Sequence, residues 1–258
     1  MWKKALRLTV LLVIAAAVVG FLLWPRSSGE ITLTDAKVAP TGSGAGAVFL
    51  SIANRGRPDR LIAVSSPVAE AEIYSPGGGP GPPIPSGEAA LAADGAHIRL
   101  GGLGDALQPG SLIPLTLTFE RAGAVTAKAI VTDPAAHGAA AEVGLFGMGD
   151  ICRVGPGEPA PRISLSVVPY GERWQVRVAA EDFTFSEELD GSVHLPGTGH
   201  GHIYVGGMKL GRLYSSEATI GPLPPGRHEV RVTLNTNDHR AYVVGDQPVS
   251  ASAVIEVD

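Results

Sequence analysis

The chain of 258 residues is long enough to bury one large hydrophobic core or two of ordinary size. Its formal net charge of −5, with no basic stripe, argues against nucleic acid as a partner, and its single cysteine excludes an intrachain disulfide framework. The 34 glycines and 21 prolines, with only 5% aromatic residues, indicate many turns and favour an all-β fold.

The N-terminus has the pattern of a membrane anchor. Three basic residues stand within the first seven, and an uncharged apolar run from Leu8 to Trp24 follows. This length is near the lower limit for crossing a bilayer as a helix. We expect residues 1–29 to hold one transmembrane helix in the inner membrane, with the N-terminus in the cytoplasm and the rest in the periplasm. The alternative is a signal peptide, cleaved near Ala15-Ala16-Ala17, that releases the protein into the periplasm.

Residues 30–133 read as a series of short strands separated by turns. In the segment from Ile113 to Phe119, Leu115, Leu117 and Phe119 alternate with threonines, which is the pattern of a half-buried strand. Strands at this spacing predict a β-sandwich or barrel of about 100 residues.

Several motifs of this first domain occur in a fixed order: Asp59-Arg60-Leu61, Ser65–Ala69, Asp94–Leu103 and Leu107–Gly123. Together they resemble the periplasmic copper chaperones of the PCu(A)C family. The resemblance implies a cupredoxin-like β-sandwich that binds Cu(I) and helps to load the copper A centre of cytochrome oxidase. It therefore also implies a membrane oxidase, or its assembly machinery, as a partner.

The metal-binding positions of that family are mostly changed here. Tyr74 stands where the resemblance places the first histidine, and Pro76 stands near the usual methionine. His97 matches the later histidine, but Arg99 replaces the methionine of the family's His-x-Met pair. Thioethers are what select Cu(I), and the family's methionine positions are changed in this chain. His97 is the candidate ligand that remains, and the alternative is a sandwich that has lost its copper site.

Residues 134–161 are rich in Ala, Gly and Pro, and this composition predicts an interdomain linker. His137, Met148 and Cys152 lie within it and could form a loose site for a soft metal ion. The alternative for Cys152 is an ordinary small buried residue.

Residues 162–258 return to the strand pattern and predict a second, immunoglobulin-like β-sandwich. Here His-x-His, a Pro-Pro-Gly turn and Asn-x-Asn-Asp-His occur together. In this respect the domain resembles small exported bacterial domains of largely unassigned role, so the resemblance implies a histidine-containing domain and little more.

The strand Gly199–Val205 carries the clearest chemical signal. Alternation places Ile203 and Val205 toward the core, and His200 and His202 side by side on the other face, about 7 Å apart. The two flanking glycines leave room for a close approach to the backbone.

A third imidazole would complete a site for Cu(II) or Zn(II). His239, which follows the next strong strand, is the best candidate, and Asp238 could orient one of the rings. His194 and Met208 are further candidates. The predicted metal ligands of the whole chain are thus His200, His202, His239, His194, Met208 and His97.

These patterns predict a membrane-anchored periplasmic copper-binding protein that acts in copper delivery or homeostasis for a respiratory oxidase. Zinc is the alternative metal, since imidazole suits both ions, and the preference for copper comes from the resemblance of the first domain. The alternative function is a metal-free binding or assembly module. The chain has no Gly-x-Ser-x-Gly, His-Glu-x-x-His or phosphate-loop motif, so we expect neither an enzyme nor a small-molecule substrate.

Overall fold

The structure is a computed structural model that describes residues 30–133 and 151–258, apart from residues 43 and 77. The described chain is all-β, as predicted. The predicted N-terminal helix (residues 1–29) lies outside the described residues, and within them no helix is long and apolar enough to span a membrane. His137 and Met148 also lie outside.

The first half of the described chain has nine strands and one short 3-10 helix, Gly104–Leu107. The strands are β1 (Ile31–Gly42), β2 (Ala45–Asn54), β3 (Asp59–Ser65), β4 (Glu70–Tyr74), β5 (Pro83–Ile84), β6 (Gly87–Leu91), β7 (His97–Gly101), β8 (Leu112–Phe119) and β9 (Gly123–Val131).

These strands wrap around one hydrophobic cluster. Strand β1 pairs antiparallel with β2 and parallel with β9, while β2 continues to β7 and β4, and β9 continues to β8 and β3. The predicted alternation in β8 is present, because Leu115, Leu117 and Phe119 are all buried in the cluster. The inward side chains of facing strands therefore form the core of a β-sandwich.

The second half contains β10 (Ile151–Arg153), β11 (Arg162–Tyr170), β12 (Arg173–Glu181), β13 (Thr184–Phe185), β14 (Thr198–Val205), β15 (Met208–Leu213), β16 (Glu217–Ile220), β17 (Gly226–Asn235), β18 (Ala241–Val244), β19 (Gln247–Pro248) and β20 (Ser250–Val257). Strand β10 falls in the segment whose composition predicts a linker, yet it pairs with β18, and Cys152 is buried beside Leu234 and Tyr242. The C-terminal part of residues 134–161 thus includes a strand that packs on the second half, and the bounds of the linker stay a prediction.

The second half is also built of two layers. Strands β11, β12 and β16 form one sheet, and β14 lies between β15 and β17 in the other, with β20 beside β17. Val176 and Val178 of the first sheet pack against Ile203 and Val205 of β14. The core-facing side of β14 is thus the one that alternation predicts, which leaves its other face for the histidines.

The two halves contact one another at the hairpin between β14 and β15. The amide of Ala96 donates a hydrogen bond of 2.7 Å to the carbonyl of Gly207, and Lys209 pairs with Ala90 of β6. Met208, a residue of the second half, is fully buried in the hydrophobic cluster of the first. The division of the chain into domains at residues 133 and 162 stays a prediction, but the two hydrophobic clusters are joined by direct contacts.

Replacement of Gly95 by alanine should weaken this junction. A Cβ atom at Gly95 would lie 2.3 Å from the carbonyl oxygen of Gly207, so the backbone must shift and the neighbouring hydrogen bond must lengthen. We expect a loss of about 1–3 kcal/mol in the free energy of unfolding, measured by urea denaturation. Gly101→Ala is the control, because a Cβ there meets its nearest atom at an ordinary 3.7 Å. Equal stability of the two variants would contradict the close approach.

Candidate metal centre

Three imidazoles meet at one point on the side of β14 that faces the first half. His200, His202 and His239 each offer a ring nitrogen, and these atoms all lie within 4.8 Å of one another. The Nε2 atoms of His200 and His202 are 3.1 Å apart, and both rings are buried. The structure therefore brings together the three histidines that the sequence favours.

The glycines of the Gly-His-Gly-His segment explain how two rings fit side by side. A Cβ at Gly199 would lie 1.9 Å from the carbonyl oxygen of Asn235, and the φ of Gly199 is +155°. At Gly201 the backbone packs closely between Leu213 and Val232. Side chains at these positions would push β14 away from its neighbours, so glycine keeps the histidine-bearing strand in the sheet.

His239 reaches the site from the turn between β17 and β18. Its φ of +67° is unusual for a residue with a side chain, and hydrogen bonds between Thr236 and Arg240 close the turn. Asp238 does not orient a ring of the triad, contrary to expectation, because its carboxylate binds Arg240 and Thr236. That binding stabilises the turn that carries His239.

Asp94, on the turn between β6 and β7 in the first half, contacts His202. Its Oδ2 atom lies 3.0 Å from His202 Nδ1 and accepts hydrogen bonds from the Tyr204 hydroxyl at 2.5 Å and the Lys209 ammonium at 3.1 Å. The carboxylate that supports the ring of His202 therefore comes from the other half of the chain.

Asp190 is the matching carboxylate for the other two rings. Its Oδ1 atom lies 3.4 Å from His200 Nδ1 and 3.5 Å from His239 Nε2. Its Oδ2 atom is held by Arg212 at 2.6 Å and by the Tyr214 hydroxyl at 2.8 Å. No motif in the sequence indicates either aspartate: Asp94 contacts His202 across 108 residues, and Asp190 lies in the connection that precedes β14.

The surroundings keep the rings neutral. Burial, followed by the neighbouring rings of His202 and His239, lowers the pKa of His200 to about 3. Burial lowers the pKa of His202 to about 4, although the hydrogen bond to Asp94 acts in the opposite direction. Burial also lowers the pKa of His239. Neutral imidazole is the form that binds a metal ion, so the site needs no deprotonation at neutral pH.

The contacts among the rings fit a bound cation. Two bonds of 2.0–2.1 Å to nitrogens 3.1 Å apart would meet at about 100°, which suits a tetrahedral or square site. His200 Nδ1 and Asp190 Oδ1 are both buried and make no hydrogen bond, although they face one another. If a metal ion takes Nε2 of His200, the ring proton must reside on Nδ1, where it can be donated to Asp190. A cation would thus satisfy both buried atoms.

An open cavity of about 360 Å³ between the two halves reaches the triad. His202, His239, Asp94 and Lys209 line it, together with Phe49 from the first half. Three protein ligands leave at least one coordination position free, and such a cavity gives water or another ligand access to it.

The other predicted ligands lie outside the triad. His97 Nδ1 donates a hydrogen bond of 3.1 Å to the carbonyl oxygen of Gly95, and its ring packs against Tyr74 with the ring centroids 4.7 Å apart. The guanidinium of Arg99 also lies over the Tyr74 ring. The side chains at the positions where the PCu(A)C resemblance implies copper ligands, Tyr74 and Arg99, thus pack against each other, and Tyr74 also packs against His97. Met208 is a core residue, as described above.

His194 lies beside Cys152. Its Nε2 atom is 3.5 Å from the Cys152 sulfur, and its ring packs edge-on against Tyr242. Burial raises the pKa of the Cys152 thiol, which disfavours the thiolate that binds metal ions. Cys152 is therefore better described as a small buried residue of the second half.

Residues 31–131 match a family model that is described as LpqE-like, a family of lipoproteins. Among solved structures, the copper-bound PCuAC domain from PmoF2 is 26% identical, with 41% of this chain and 95% of that chain covered and a TM-score of 0.37. The apo PCuAC domain from PmoF1 is also 26% identical, with 41% and 96% covered and a TM-score of 0.37. The resemblance of the first half to PCu(A)C domains, expected from its motifs, is confirmed.

The N-terminal periplasmic domain of ScsB from Proteus mirabilis is 8% identical, covers 90% of this chain and 96% of its own length, and has a TM-score of 0.30. The search of curated proteins found no significant match.

The low pKa values of the buried rings predict that acid destabilises the metal-free protein. Below pH 6.5, the ordinary pKa of histidine, the unfolded chain takes up protons on His200 and His202 that the folded chain binds only near pH 4 to 3. The free energy of unfolding should therefore be greatest above pH 6.5 and decrease as the pH falls toward 4. Thermal unfolding with a chelator present, at a series of pH values, measures this dependence.

The matched variant is His200→Gln with His202→Gln, whose side chains do not titrate in this range. Its melting temperature should change less between pH 6.5 and 4 than that of the original protein. An unchanged slope would show that the two rings are not held in their neutral form.

Proposed function

We propose that this protein is an exported copper-binding protein that holds one ion at His200, His202 and His239. The observation that carries the proposal is the convergence of three neutral imidazoles, two of them buried and that of His239 partly buried, whose ring nitrogens lie within 4.8 Å of one another. Such a donor set suits Cu(II) and Zn(II) about equally. The likeness of the first half to PCu(A)C domains favours copper over zinc, and we assign copper on that basis.

The proposal also includes the location of the protein in the cell. An N-terminal anchor would hold it in the inner membrane, with both halves in the periplasm, where it would act in copper delivery or homeostasis for a membrane oxidase. Delivery requires that the ion can leave, and the open cavity beside the triad supports exchange with a partner. We propose a binding role without catalysis, since the side chains that meet at the site are of the kind that hold an ion.

Metal titration of the full chain tests the proposal. Cu(II) added to the metal-free protein should bind with a stoichiometry of one, and His200→Ala combined with His202→Ala should lower the affinity by more than about 100-fold, because two of three ligands are removed. Competition with a chromophoric chelator gives the affinity, and elemental analysis gives the stoichiometry.

The control is His97→Ala, which removes the histidine of the first half without touching the triad. It should bind copper as the original protein does. Retention of copper by the double variant and its loss in His97→Ala would move the site to the first half. A failure of the original protein to bind copper or zinc would instead favour the metal-free assembly module.

A further inference from the structure

We infer that Asp94 is a positioning residue of the metal centre, so that the centre is completed only when the first half is docked on the second. The inference rests on the proposed function, because it names the group that prepares one of the three ligands. Asp94 touches no metal position itself and acts through His202.

The first step concerns which nitrogen of His202 carries the proton. Asp94 offers only acceptor oxygens at 3.0 Å, so His202 Nδ1 must be the donor, and Nε2 then keeps its lone pair toward His200. The Lys209 ammonium does not compete for this role. It lies 3.0 Å from Nδ1 and 3.4 Å from Nε2, and an atom so close to both nitrogens sits over the ring face, away from both lone pairs.

The second step concerns how firmly the carboxylate is held. Tyr204 and Lys209 bind the same oxygen that faces His202, and the guanidinium of Arg231 donates at 3.0 Å to the backbone carbonyl of Asp94. The next residue, Gly95, lies so close to Gly207 that no side chain fits. The turn that carries Asp94 is therefore held by the second half through several contacts, and one oxygen of its carboxylate is held toward His202.

The third step compares the two carboxylates of the site. Asp190 supports His200 and His239 from within the second half, whereas Asp94 supports His202 from the LpqE-like half. A carboxylate that holds a metal-binding histidine in one tautomer commonly contributes 10–100-fold to metal affinity. The first half, whose own copper position is filled by Tyr74 and Arg99, thus retains a part in metal binding through Asp94.

The test uses the full chain with Asp94→Ala and Asp94→Asn. We expect Asp94→Ala to lower the Cu(II) affinity about 10–100-fold with the stoichiometry of one preserved. Asp94→Asn should lower the affinity less, since its amide oxygen still accepts a hydrogen bond from His202 Nδ1. Asp105→Asn is the matched control: it removes one negative charge from an exposed position of the 3-10 helix Gly104–Leu107, outside the cavity that reaches the triad.

Nitrogen-15 chemical shifts of the His202 ring in the metal-free protein provide a readout that a purely structural role would not change. The original protein and Asp105→Asn should show the Nδ1-protonated tautomer, and Asp94→Ala should shift the ring toward the Nε2-protonated one. If Asp94→Ala does not fold, the Cu(II) affinity of Asp94→Asn decides the question: a loss relative to Asp105→Asn supports the inference, and an affinity equal to that of the original protein overturns it.

The outcomes separate this inference from the proposed function. Copper binding by the original protein, with an unchanged affinity and an unchanged His202 tautomer in the Asp94 variants, would overturn the role of Asp94 and leave the triad intact. Absence of copper binding by the original protein would overturn both.

Discussion

The structure depends on a set of imidazole rings that are buried without charge between two charged carboxylates. His200 and His202 lie on a face of β14 that would be solvated in an isolated sheet, and the first half covers it. Buried polar groups are costly unless they are paired, and three buried atoms of this site, His200 Nδ1, Asp190 Oδ1 and Asp94 Oδ1, are left without hydrogen bonds. A buried polar cluster that does not stabilise the fold indicates a functional role, and the simplest role for this one is to bind a cation.

The covering of that face ties the metal centre to the docking of the halves. The hairpin between β14 and β15 enters the first half through Met208, while Asp94 enters the second half in return. Each half thus supplies something that the other lacks: an apolar side chain for one core, and a carboxylate for one ring. An ion bound at the triad would therefore be sensitive to any change in how the two halves pack, although it is ligated by residues of only one of them.

The sequence allowed the local part of this arrangement to be predicted. A two-residue period in β14 was enough to place Ile203 in the core and His200 beside His202, because alternation is a property of the strand alone. The third ligand, His239, followed from its position after a long strand. The all-β class followed from turn-forming residues and short apolar runs, which likewise act over a few residues.

What the sequence could not give depends on contacts between distant residues. Asp94 precedes His202 by more than a hundred positions, and nothing at the turn from β6 to β7 indicates that a histidine lies opposite. Met208 was predicted as a soft ligand, but the thioether side chain is also apolar. In the structure it is buried in the hydrophobic cluster of the first half. Asp238 was expected to orient a ring because it is adjacent to His239, yet the turn directs its carboxylate to Arg240.

X-ray absorption at the copper edge of the copper-loaded full chain tests the central claim most directly. The account predicts a first shell with three imidazole nitrogens at about 2.0–2.1 Å, identified by scattering from the outer ring atoms. A shell with sulfur, or one made only of oxygens without imidazole scattering, would contradict it, because the ion would then be bound somewhere other than between these rings.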